Sequence, residues 1–515
     1  VIYTVTPTST GGSCVGDAQT VTITVNPKPV MTSSDAKTIC SEEAVALALT
    51  SDVASTYSWV ATANASVTGA STTAQSGATI TDNLTNTTNT VQTVIYTVTP
   101  TSTGGSCVGD AQTVTITVRP TPTATITALD LEACQNEIPA PTVTFTNEMA
   151  DAVVVTYNIN GGTNTTLDIS GNGFRSVTQP TGVAGTYVYN LVQVHYASGV
   201  SCANTDPSSV TITVHPTPTV TPISDIVYCN GQTVGSLQPT GPVSGTTFTW
   251  VNDNTAIGLG ASGTGAVSAF TATNATDNPI SANITITPTA NGCVGTPYTY
   301  TITVNPTPRA TITGTTTVCY EDTEPVITFH NPMGLALTIA YNINGSGTTY
   351  TIDVEANSTA TITAPTTTPG TFNYNLVSAI YQSSPNCLIG ISSQTATITV
   401  DPEPIADATP QNQTICSGDD ITTIILGTTN GISGTTFSWQ RTNMASVTGM
   451  DEFGTGDISG TLSNTTASPV TVIFYITPKA AGCPGNPIQA RVTVNPIPVA
   501  TITDNNGSRC SGVTI

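Results

Sequence analysis

The feature that most constrains this chain is an internal repeat. Residues 1–25 recur letter for letter as residues 94–118, at an offset of 93 residues. A period of this kind is typical of a chain built from copies of one structural unit. A Pro-x-Pro mark recurs with the repeat, at Asn26-Pro27-Lys28-Pro29, Arg119-Pro120-Thr121-Pro122, His215-Pro216-Thr217-Pro218, Asn305-Pro306-Thr307-Pro308, Asp401-Pro402-Glu403-Pro404 and Asn495-Pro496-Ile497-Pro498. The marks predict five complete repeats, with a partial repeat at each end.

Each mark follows a run of alternating apolar and polar residues, such as Val114-Thr115-Ile116-Thr117-Val118. Alternation predicts a half-buried β-strand, and Pro-x-Pro predicts a stiff, extended joint. We therefore predict an all-β fold, a tandem array of Ig-like β-sandwich domains of about seven strands each, laid end to end. The predicted bounds are 1–26 (partial, last two strands), 30–119, 123–215, 219–305, 309–401, 405–495 and 499–515 (partial, first strand).

The complete repeats alternate between two kinds. Repeats one, three and five, here called Trp repeats, hold the three Trp residues of the chain, Trp59, Trp250 and Trp439. Repeats two and four, the Tyr repeats, carry Tyr157-Asn158-Ile159-Asn160-Gly161 and Tyr341-Asn342-Ile343-Asn344-Gly345. An Asn-Gly pair between alternating runs predicts a tight hairpin. We expect the three Trp residues, with Tyr157 and Tyr341, to be core aromatics rather than sugar-stacking platforms.

The twelve cysteines of the chain recur at regular positions within the repeats. No Cys-x-x-Cys motif occurs and the chain has only three His, which argues against zinc and redox sites. Such regular placement favours structural disulfides in an oxidising, extracellular setting. The first cysteine of each complete repeat is Cys40, Cys134, Cys229, Cys319 or Cys416, the second is Cys107, Cys202, Cys293, Cys387 or Cys483, and Cys14 and Cys510 belong to the partial repeats.

Sequence alone does not fix how these cysteines pair. Bridges within a repeat, such as Cys40 to Cys107, are the simplest arrangement. In an Ig-like sandwich, however, the two cysteine-bearing loops lie at opposite ends, roughly 25 Å apart, whereas bridged Cα atoms lie within about 7 Å. We therefore favour bridges across each joint, with intradomain bridges as the alternative. The favoured pairs are Cys40 to Cys202, Cys134 to Cys293, Cys229 to Cys387 and Cys319 to Cys483, which leaves Cys14, Cys107, Cys416 and Cys510 to partners outside residues 1–515.

Charge excludes several classes of partner. The chain has 31 Asp and Glu residues and nine Lys and Arg residues, which gives a net charge of −22. Without a basic patch, binding to nucleic acid or to an anionic membrane surface is not expected. No stretch approaches 18 consecutive apolar residues, so we expect no membrane insertion in this segment.

Motifs for chemistry are missing from the sequence. Acidic pairs such as Glu42-Glu43, Glu321-Asp322 and Asp419-Asp420 lack the spacing of a calcium loop, and we interpret them as solvated acids. His195 and His330 are interpreted as surface residues, and His215 as a joint residue. No catalytic or phosphate-binding motif occurs. We predict no enzymatic activity, no cofactor and no metal. Asn-x-Ser/Thr sequons, among them Asn274 and Asn464, are expected by chance in a chain rich in Asn and Thr.

Three recurring sequence motifs resemble those of a known family. They are Tyr96-Thr97-Val98-Thr99-Pro100 with Gly105-Ser106-Cys107, Ile286-Thr287-Pro288 with Gly292-Cys293, and Ile476-Thr477-Pro478 with Gly482-Cys483. Each precedes an alternating strand and a Pro-x-Pro mark, and the whole chain resembles the PKD-like and Ig-like repeats of giant Bacteroidetes surface proteins, in particular gliding-motility adhesins of the SprB type. The resemblance implies type IX secretion and display as an outer-membrane-attached surface filament. The Trp-Asp-Phe-Gly-Asp-Gly signature of ordinary PKD domains is missing, so their calcium or glycan properties are not carried over.

Together these observations predict a mechanical function. The repeats would form the stalk of a long cell-surface adhesin that displays a distal adhesive region and transmits force in attachment or gliding. The expected partners are other repeats of the same chain, with lateral copies a further option, and an extracellular surface or polysaccharide bound by regions outside this sequence. Two alternatives stay open. The repeats themselves, through end loops or the Asn-Gly hairpins, would bind polysaccharide, or they would form an accessory region of an exported enzyme.

Overall fold

The computed structural model describes residues 1–392 and 394–501, and within them the regular structure is β-strand apart from one 3₁₀-helix, Thr255–Ile257. This confirms the predicted all-β tandem fold. The predicted partial repeat 499–515 and Cys510 lie almost entirely outside the described residues. The chain divides into two compact units, one of Val1–Thr221, Thr240–Phe248 and Thr287–Pro297, the other of Pro222–Pro239, Thr249–Ile286 and the described part of Tyr298–Ile515.

Strands follow one another at short intervals because β-branched residues alternate with turn-forming Gly, Asn and Pro. The first partial repeat has β1 (Ile2–Val5) and β2 (Gln19–Thr22). Repeat one has β3 (Ala36–Cys40), β4 (Glu43–Ala44), β5 (Leu47–Ala48), β6 (Ser55–Ala61), β7 (Val67–Thr68), β8 (Gln75–Ser76), β9 (Thr79–Ile80), β10 (Asn83–Asn86), β11 (Gln92–Ser102) and β12 (Gln112–Arg119). Repeat two has β13 (Thr125–Ala128), β14 (Glu132–Cys134), β15 (Thr142–Thr146), β16 (Val153–Ile159), β17 (Thr165–Ile169), β18 (Phe174–Thr178), β19 (Gly185–Tyr196), β20 (Ala203–Thr205) and β21 (Ser209–His215).

The later repeats are built in the same way. Repeat three has β22 (Ile226–Cys229), β23 (Thr233–Val234), β24 (Thr247–Asn252), β25 (Ser262–Thr264), β26 (Phe270–Thr271), β27 (Ile280–Ala290), β28 (Cys293–Val294) and β29 (Tyr298–Asn305). Repeat four has β30 (Thr311–Thr313), β31 (Thr316–Cys319), β32 (Val326–Asn331), β33 (Leu337–Ile343), β34 (Tyr350–Val354), β35 (Ser358–Thr363), β36 (Gly370–Tyr381), β37 (Leu388–Gly390) and β38 (Thr395–Asp401). Repeat five has β39 (Ala406–Thr409), β40 (Asn412–Cys416), β41 (Ile425–Thr428), β42 (Thr436–Arg441), β43 (Val447–Thr448), β44 (Phe453–Thr455), β45 (Ser463–Asn464), β46 (Val470–Ala480), β47 (Cys483–Pro484) and β48 (Ile488–Asn495).

The main sheet has one topology in all five complete repeats. Its orders are β3-β12-β11-β6-β8, β14-β21-β19-β16-β17, β22-β29-β27-β24-β25, β31-β38-β36-β33-β34 and β40-β48-β46-β42-β44. In each, the strand that ends at the first cysteine pairs in parallel with the last strand of the repeat, and the other neighbours are antiparallel. A smaller sheet or pair of ladders, such as β13-β15-β18 or β30-β32-β35, completes each sandwich.

The core of each sandwich follows the alternation of its strands. In β11 the residues Val94, Tyr96 and Val98 are fully buried, while the residues between them face outward. Because successive strand side chains point to opposite faces, this one period determines which half of the strand packs inward. Each described complete repeat therefore buries its own set of aromatic and aliphatic side chains.

Candidate functional site at the joints between repeats

The parallel pairing of the main sheet places the first cysteine beside the joint. Cys40 ends β3 and pairs with Arg119, the residue that opens the next Pro-x-Pro mark. The same register pairs Cys134 with His215 and Cys319 with Asp401. The first cysteine is therefore fixed at the end of its repeat, where the next repeat begins.

A tight turn follows the first cysteine and uses the residue three positions later. The Glu43 carboxylate accepts a hydrogen bond from the Cys40 amide at 2.9 Å, and Glu137 does the same for Cys134 at 2.5 Å. The second turn residue has a positive φ, as in Glu42 (68°) and Asn136 (63°). Glu43 is exposed, as expected of a solvated acid, and it also accepts this one hydrogen bond within the turn. The sequence signal for this turn was an acidic or amide residue three positions after the first cysteine, Glu in repeats one and two, Gln in repeat three and Asp in repeats four and five.

The second cysteine lies at the other end of the repeat, against the preceding joint. In the Trp repeats a glycine follows it by two residues, and this glycine abuts the last proline of the mark. A Cβ on Gly295 would lie 1.8 Å from the Pro218 carbonyl oxygen, and a Cβ on Gly485 would lie 1.9 Å from that of Pro404. Only glycine permits this approach, so the Cys-x-Gly motif specifies contact between the joint and the repeat that follows it.

Four disulfides cross the four joints between complete repeats. Their Cα–Cα distances are 5.5 to 5.6 Å, within the range for bridged cysteines. Each interior repeat is thus tied to the repeat before it and to the repeat after it. The pairs are Cys40–Cys202, Cys134–Cys293, Cys229–Cys387 and Cys319–Cys483, which are the cross-joint pairs favoured from the sequence rather than the intradomain alternative. Cys14, Cys107 and Cys416 form no disulfide with another described residue.

Joint one-two, residues 119–122, carries an additional polar clamp. Arg119 is 9% exposed, and its guanidinium donates to the Asp151 carboxylate at 2.6 Å and to the Ser198 and Val200 carbonyls at 2.6 and 3.1 Å. It also lies 3.9 Å from the centre of the Tyr196 ring. A residue of repeat one is therefore held by a carboxylate, two carbonyls and an aromatic face of repeat two.

Joint three-four, residues 305–308, forms an ion pair from the opposite direction. Arg309 of repeat four follows the mark and donates to Asp277 of repeat three. Beside it the Gly334 amide donates to the Asp277 carbonyl at 2.9 Å. Both joints that lead from a Trp repeat into a Tyr repeat thus have an arginine–aspartate pair, although the arginine occupies a different position in the sequence of each.

One asparagine stabilises a loop in every complete repeat, and it is buried in repeats one to four and half-buried in repeat five. In repeat three the Asn274 amide donates to the carbonyls of Asn278 (2.8 Å) and Val304 (2.7 Å), and its oxygen accepts from the Thr276 amide. The equivalent residues are Asn86, Asn147, Asn331 and Asn464. Asn274 is 4% exposed. The Asn274 sequon therefore has a structural role in this turn, which the sequon pattern alone does not indicate.

The predicted core aromatics are buried in four of five cases. Trp59, Trp250, Tyr157 and Tyr341 are 3 to 8% exposed. Trp439 differs from this prediction because it is only partly buried, and it packs edge-on against Phe474 with 5.6 Å between the ring centroids.

The predicted Asn-Gly hairpins form, and one of the three histidines is less exposed than predicted. The Asn-Gly hairpins form with positive φ at both turn residues, 53° and 71° at Asn160 and Gly161, and 54° and 68° at Asn344 and Gly345. His215 lies at its joint, 3.4 Å from Glu132 of the same repeat, His330 is exposed, and His195 is half-buried rather than on the open surface.

Tyrosines near the joints have shifted acidities. Burial raises the pKa of Tyr196 to about 12, although the nearby Arg119 acts to lower it, and burial likewise raises the pKa of Tyr381 to about 12.

Among the described residues, no group of three His, Cys, Asp or Glu side chains is placed to hold a metal ion. None of the helical structure in the described chain has the length and apolar character needed to cross a bilayer.

A family model for the PKD-like domain matches four segments of the chain, residues 1–29, 37–122, 225–308 and 413–498. Together these segments are more than half of the 515 residues. They cover most of each Trp repeat and leave most or all of each Tyr repeat unmatched. No curated protein matches the chain by sequence.

The chain is also similar to several solved structures. A Ca²⁺-stabilised adhesin that helps an Antarctic bacterium bind ice is 16% identical, with 72% of this chain and 99% of that chain covered and a TM-score of 0.25. Invasin, a bacterial integrin-binding protein, is 18% identical, with coverages of 72% and 79% and a TM-score of 0.26. Sidekick-1 immunoglobulin domains 1–5 are 10% identical, with coverages of 91% and 98% and a TM-score of 0.25. At such TM-scores these likenesses carry no conclusion about function.

Proposed function

The chain belongs to the PKD-like domain family, and from that premise we propose that it is a non-catalytic stalk of an extracellular adhesin. The stalk would hold an adhesive region away from the cell and transmit force to it. We include in the proposal the finer assignment to a filament of the gliding-motility type, attached to the outer membrane and exported by type IX secretion. Four disulfides in the described chain support an oxidising, extracellular location.

The observation that carries the proposal is the interleaving of the disulfides. The bridge that starts at Cys134 begins inside the loop closed by Cys40–Cys202, and every later bridge overlaps its predecessor in the same way. The shortest covalent path from Cys40 to Cys483 therefore passes through bridges and bypasses most of the intervening chain. A pulling force on the two ends would be carried by these bridges even if individual sandwiches opened.

Single-molecule stretching of the whole chain tests this proposal. The oxidised chain is expected to extend only by its two ends and by the segments that the shortest path still contains, residues 134–202 and 293–319. After reduction, unfolding is expected to release up to about 3.3–3.6 Å for each residue, so the total extension should increase several-fold. Equal extension before and after reduction would contradict a force-transmitting function for the disulfides.

The matched control uses a cysteine that forms no bridge among the described residues. Cys14→Ser is expected to leave the extension of the oxidised chain unchanged. Cys319→Ser with Cys483→Ser is expected to lengthen it, because both of the shortest routes from Cys40 to Cys483 end on this bridge.

A further inference from the structure

Repeat five has two exposed aromatic residues on the outer face of its main sheet. Phe453 is 61% exposed and Tyr475 is 42% exposed. Gln440 on β42 pairs with Phe453 on β44 and with Tyr475 on β46, so the three residues form one row across three strands. Neighbouring strands lie about 4.8 Å apart, which places the two aromatic positions roughly 9–10 Å apart across Gln440.

The next outward-facing row supplies hydroxyl groups. Ser438 pairs with Thr455 on one side and Thr477 on the other. The two rows, with Trp439 and Gly454 between them, line an open groove that has no charged side chain among its lining residues. Because β44 is the edge strand of this sheet, the groove is open at that edge.

The position of Phe453 is fixed by a buried arginine. Arg441 is 2% exposed and donates from its guanidinium to the carbonyls of Val447 and Asp451, both at 3.0 Å. The Arg441 amide donates to the Glu452 carbonyl at 2.9 Å. These bonds hold the loop that leads into Phe453, so the aromatic row is formed in advance of any ligand.

The other Trp repeats serve as internal comparisons. At the position of Gln440, repeat one has Val60 paired with Thr97, and repeat three has Val251 paired with Ser262. Neither of these pairs contains an aromatic residue, so a Trp repeat folds without the aromatic row. The two exposed rings are consequently an addition to repeat five rather than a requirement of its sandwich.

We propose that this face of repeat five, residues 438–440, 453–455, 475 and 477, binds a neutral polysaccharide. The apolar faces of pyranose rings pack on aromatic side chains, while amide and hydroxyl groups bind sugar hydroxyls. The spacing of the two aromatic positions is about that of a disaccharide unit in an extended glycan. An anionic polymer is disfavoured by a lining without cations and by the net charge of −22. This binding goes beyond the stalk function and does not depend on it.

Affinity electrophoresis of the whole oxidised chain tests the proposal. The gels contain hydroxyethylcellulose, xyloglucan, galactomannan or laminarin, and titration calorimetry with the matching hexasaccharide follows. The chain is expected to be retarded in at least one of these gels. Phe453→Ala and Tyr475→Ala are each expected to weaken binding roughly fivefold or more, as for the loss of one aromatic contact. Phe453→Trp and Tyr475→Phe are expected to retain it.

Two further variants distinguish binding at this site from nonspecific binding to the polysaccharide. Phe174→Ala removes an aromatic residue of similar exposure, 69%, from repeat two and is expected to change nothing. Val251→Gln with Ser262→Phe and Thr285→Tyr copies the row onto repeat three and is expected to add a second site of similar affinity. The proposal is overturned if the chain is retarded in no gel, or if folded Phe453→Ala/Tyr475→Ala binds unchanged. It is also overturned if that double variant abolishes only self-association in sedimentation. None of these results would affect the stretching test of the stalk.

Discussion

Joints one-two and two-three are each crossed by one disulfide but differ in the polar contacts around it. Their disulfides have the same Cα–Cα distance, 5.5 Å. At joint one-two Arg119 reaches into the next repeat, whereas at joint two-three His215, in the same position, contacts Glu132 of its own repeat. Among the described residues no ion pair crosses joint two-three.

The difference indicates two levels of connection. Every joint between complete repeats has a disulfide, but the polar clamp occurs where a Trp repeat leads into a Tyr repeat. Joints one-two and three-four reach this result with arginines at opposite ends of the mark, Arg119 and Arg309. We infer that a Trp repeat and the Tyr repeat after it form the tighter pair, and that the joint after the Tyr repeat depends more on its disulfide.

Removing a disulfide should produce the largest effect, and the effect should differ between the two joints. Cys134→Ser with Cys293→Ser is expected to cost about 2–4 kcal/mol and to open joint two-three, because no ion pair between described residues crosses that joint. Cys40→Ser with Cys202→Ser should open joint one-two less, because Arg119 remains. Hydrogen exchange followed by mass spectrometry measures both joints in one chain. Equal opening of the two joints would refute the comparison.

Removing the Arg119 clamp should have the next largest effect. Arg119→Met leaves two carbonyls and the Asp151 carboxylate without their donor, at an expected cost of about 2–3 kcal/mol to the closing of joint one-two. Arg309→Met is the matched control. Its side chain is 62% exposed, so its loss is expected to cost less than about 1 kcal/mol. Hydrogen exchange at residues 198–200 reports the first change, and equal costs would contradict the difference in burial.

A methyl group at the contact between joint and repeat should have a moderate effect at joint two-three. Gly295→Ala places a Cβ against the Pro218 carbonyl oxygen and is expected to destabilise the contact by about 1–3 kcal/mol. Gly260→Ala, where no atom lies within 4 Å of the added Cβ, is expected to change little. Calorimetric unfolding of the two variants compares them directly, and similar melting profiles would exclude a tight contact.

The smallest effect is expected at two buried tyrosines. The Tyr196 hydroxyl donates to the Pro120 carbonyl at 3.0 Å, whereas the buried Tyr381 hydroxyl has no hydrogen-bond partner in the described structure. Tyr196→Phe is therefore expected to cost about 1 kcal/mol, and Tyr381→Phe close to nothing. Denaturant titration of the two variants measures the difference.

Alkaline titration provides a second measurement of the same residues. Burial raises the pKa of both hydroxyls from 10 to about 12, so the unfolded chain loses these protons first as pH rises. Their contribution to stability is thus complete below pH 10 and is lost between pH 10 and about 12. The two phenylalanine variants should show a shallower decline in that window, and a decline as steep as that of the unchanged chain would contradict the assignment.

Much of the joint was predictable because its parts recur. The positions of Cys40 and Cys202 on opposite ends of their sandwiches follow from strand order, and the end-to-end distance of a strand argues against a bridge within one repeat. The function of Glu43 as a turn acceptor was not recognised, because two adjacent acids resemble a solvated loop until the position of the Cys40 amide is known. The partial exposure of Trp439 was equally hidden, because a Trp in the same motif is buried in repeats one and three.

The sequence by itself determined the period, the alternation of buried and exposed strand residues, the two kinds of repeat and the ends at which the cysteines lie. These are local properties, set by side-chain periodicity and turn chemistry. The tertiary structure decided which polar residues meet across a joint and which aromatic residues stay exposed. Arg119 meets Asp151 and Phe453 lines up with Tyr475 only when segments far apart in sequence are brought into register, and no local pattern encodes that register.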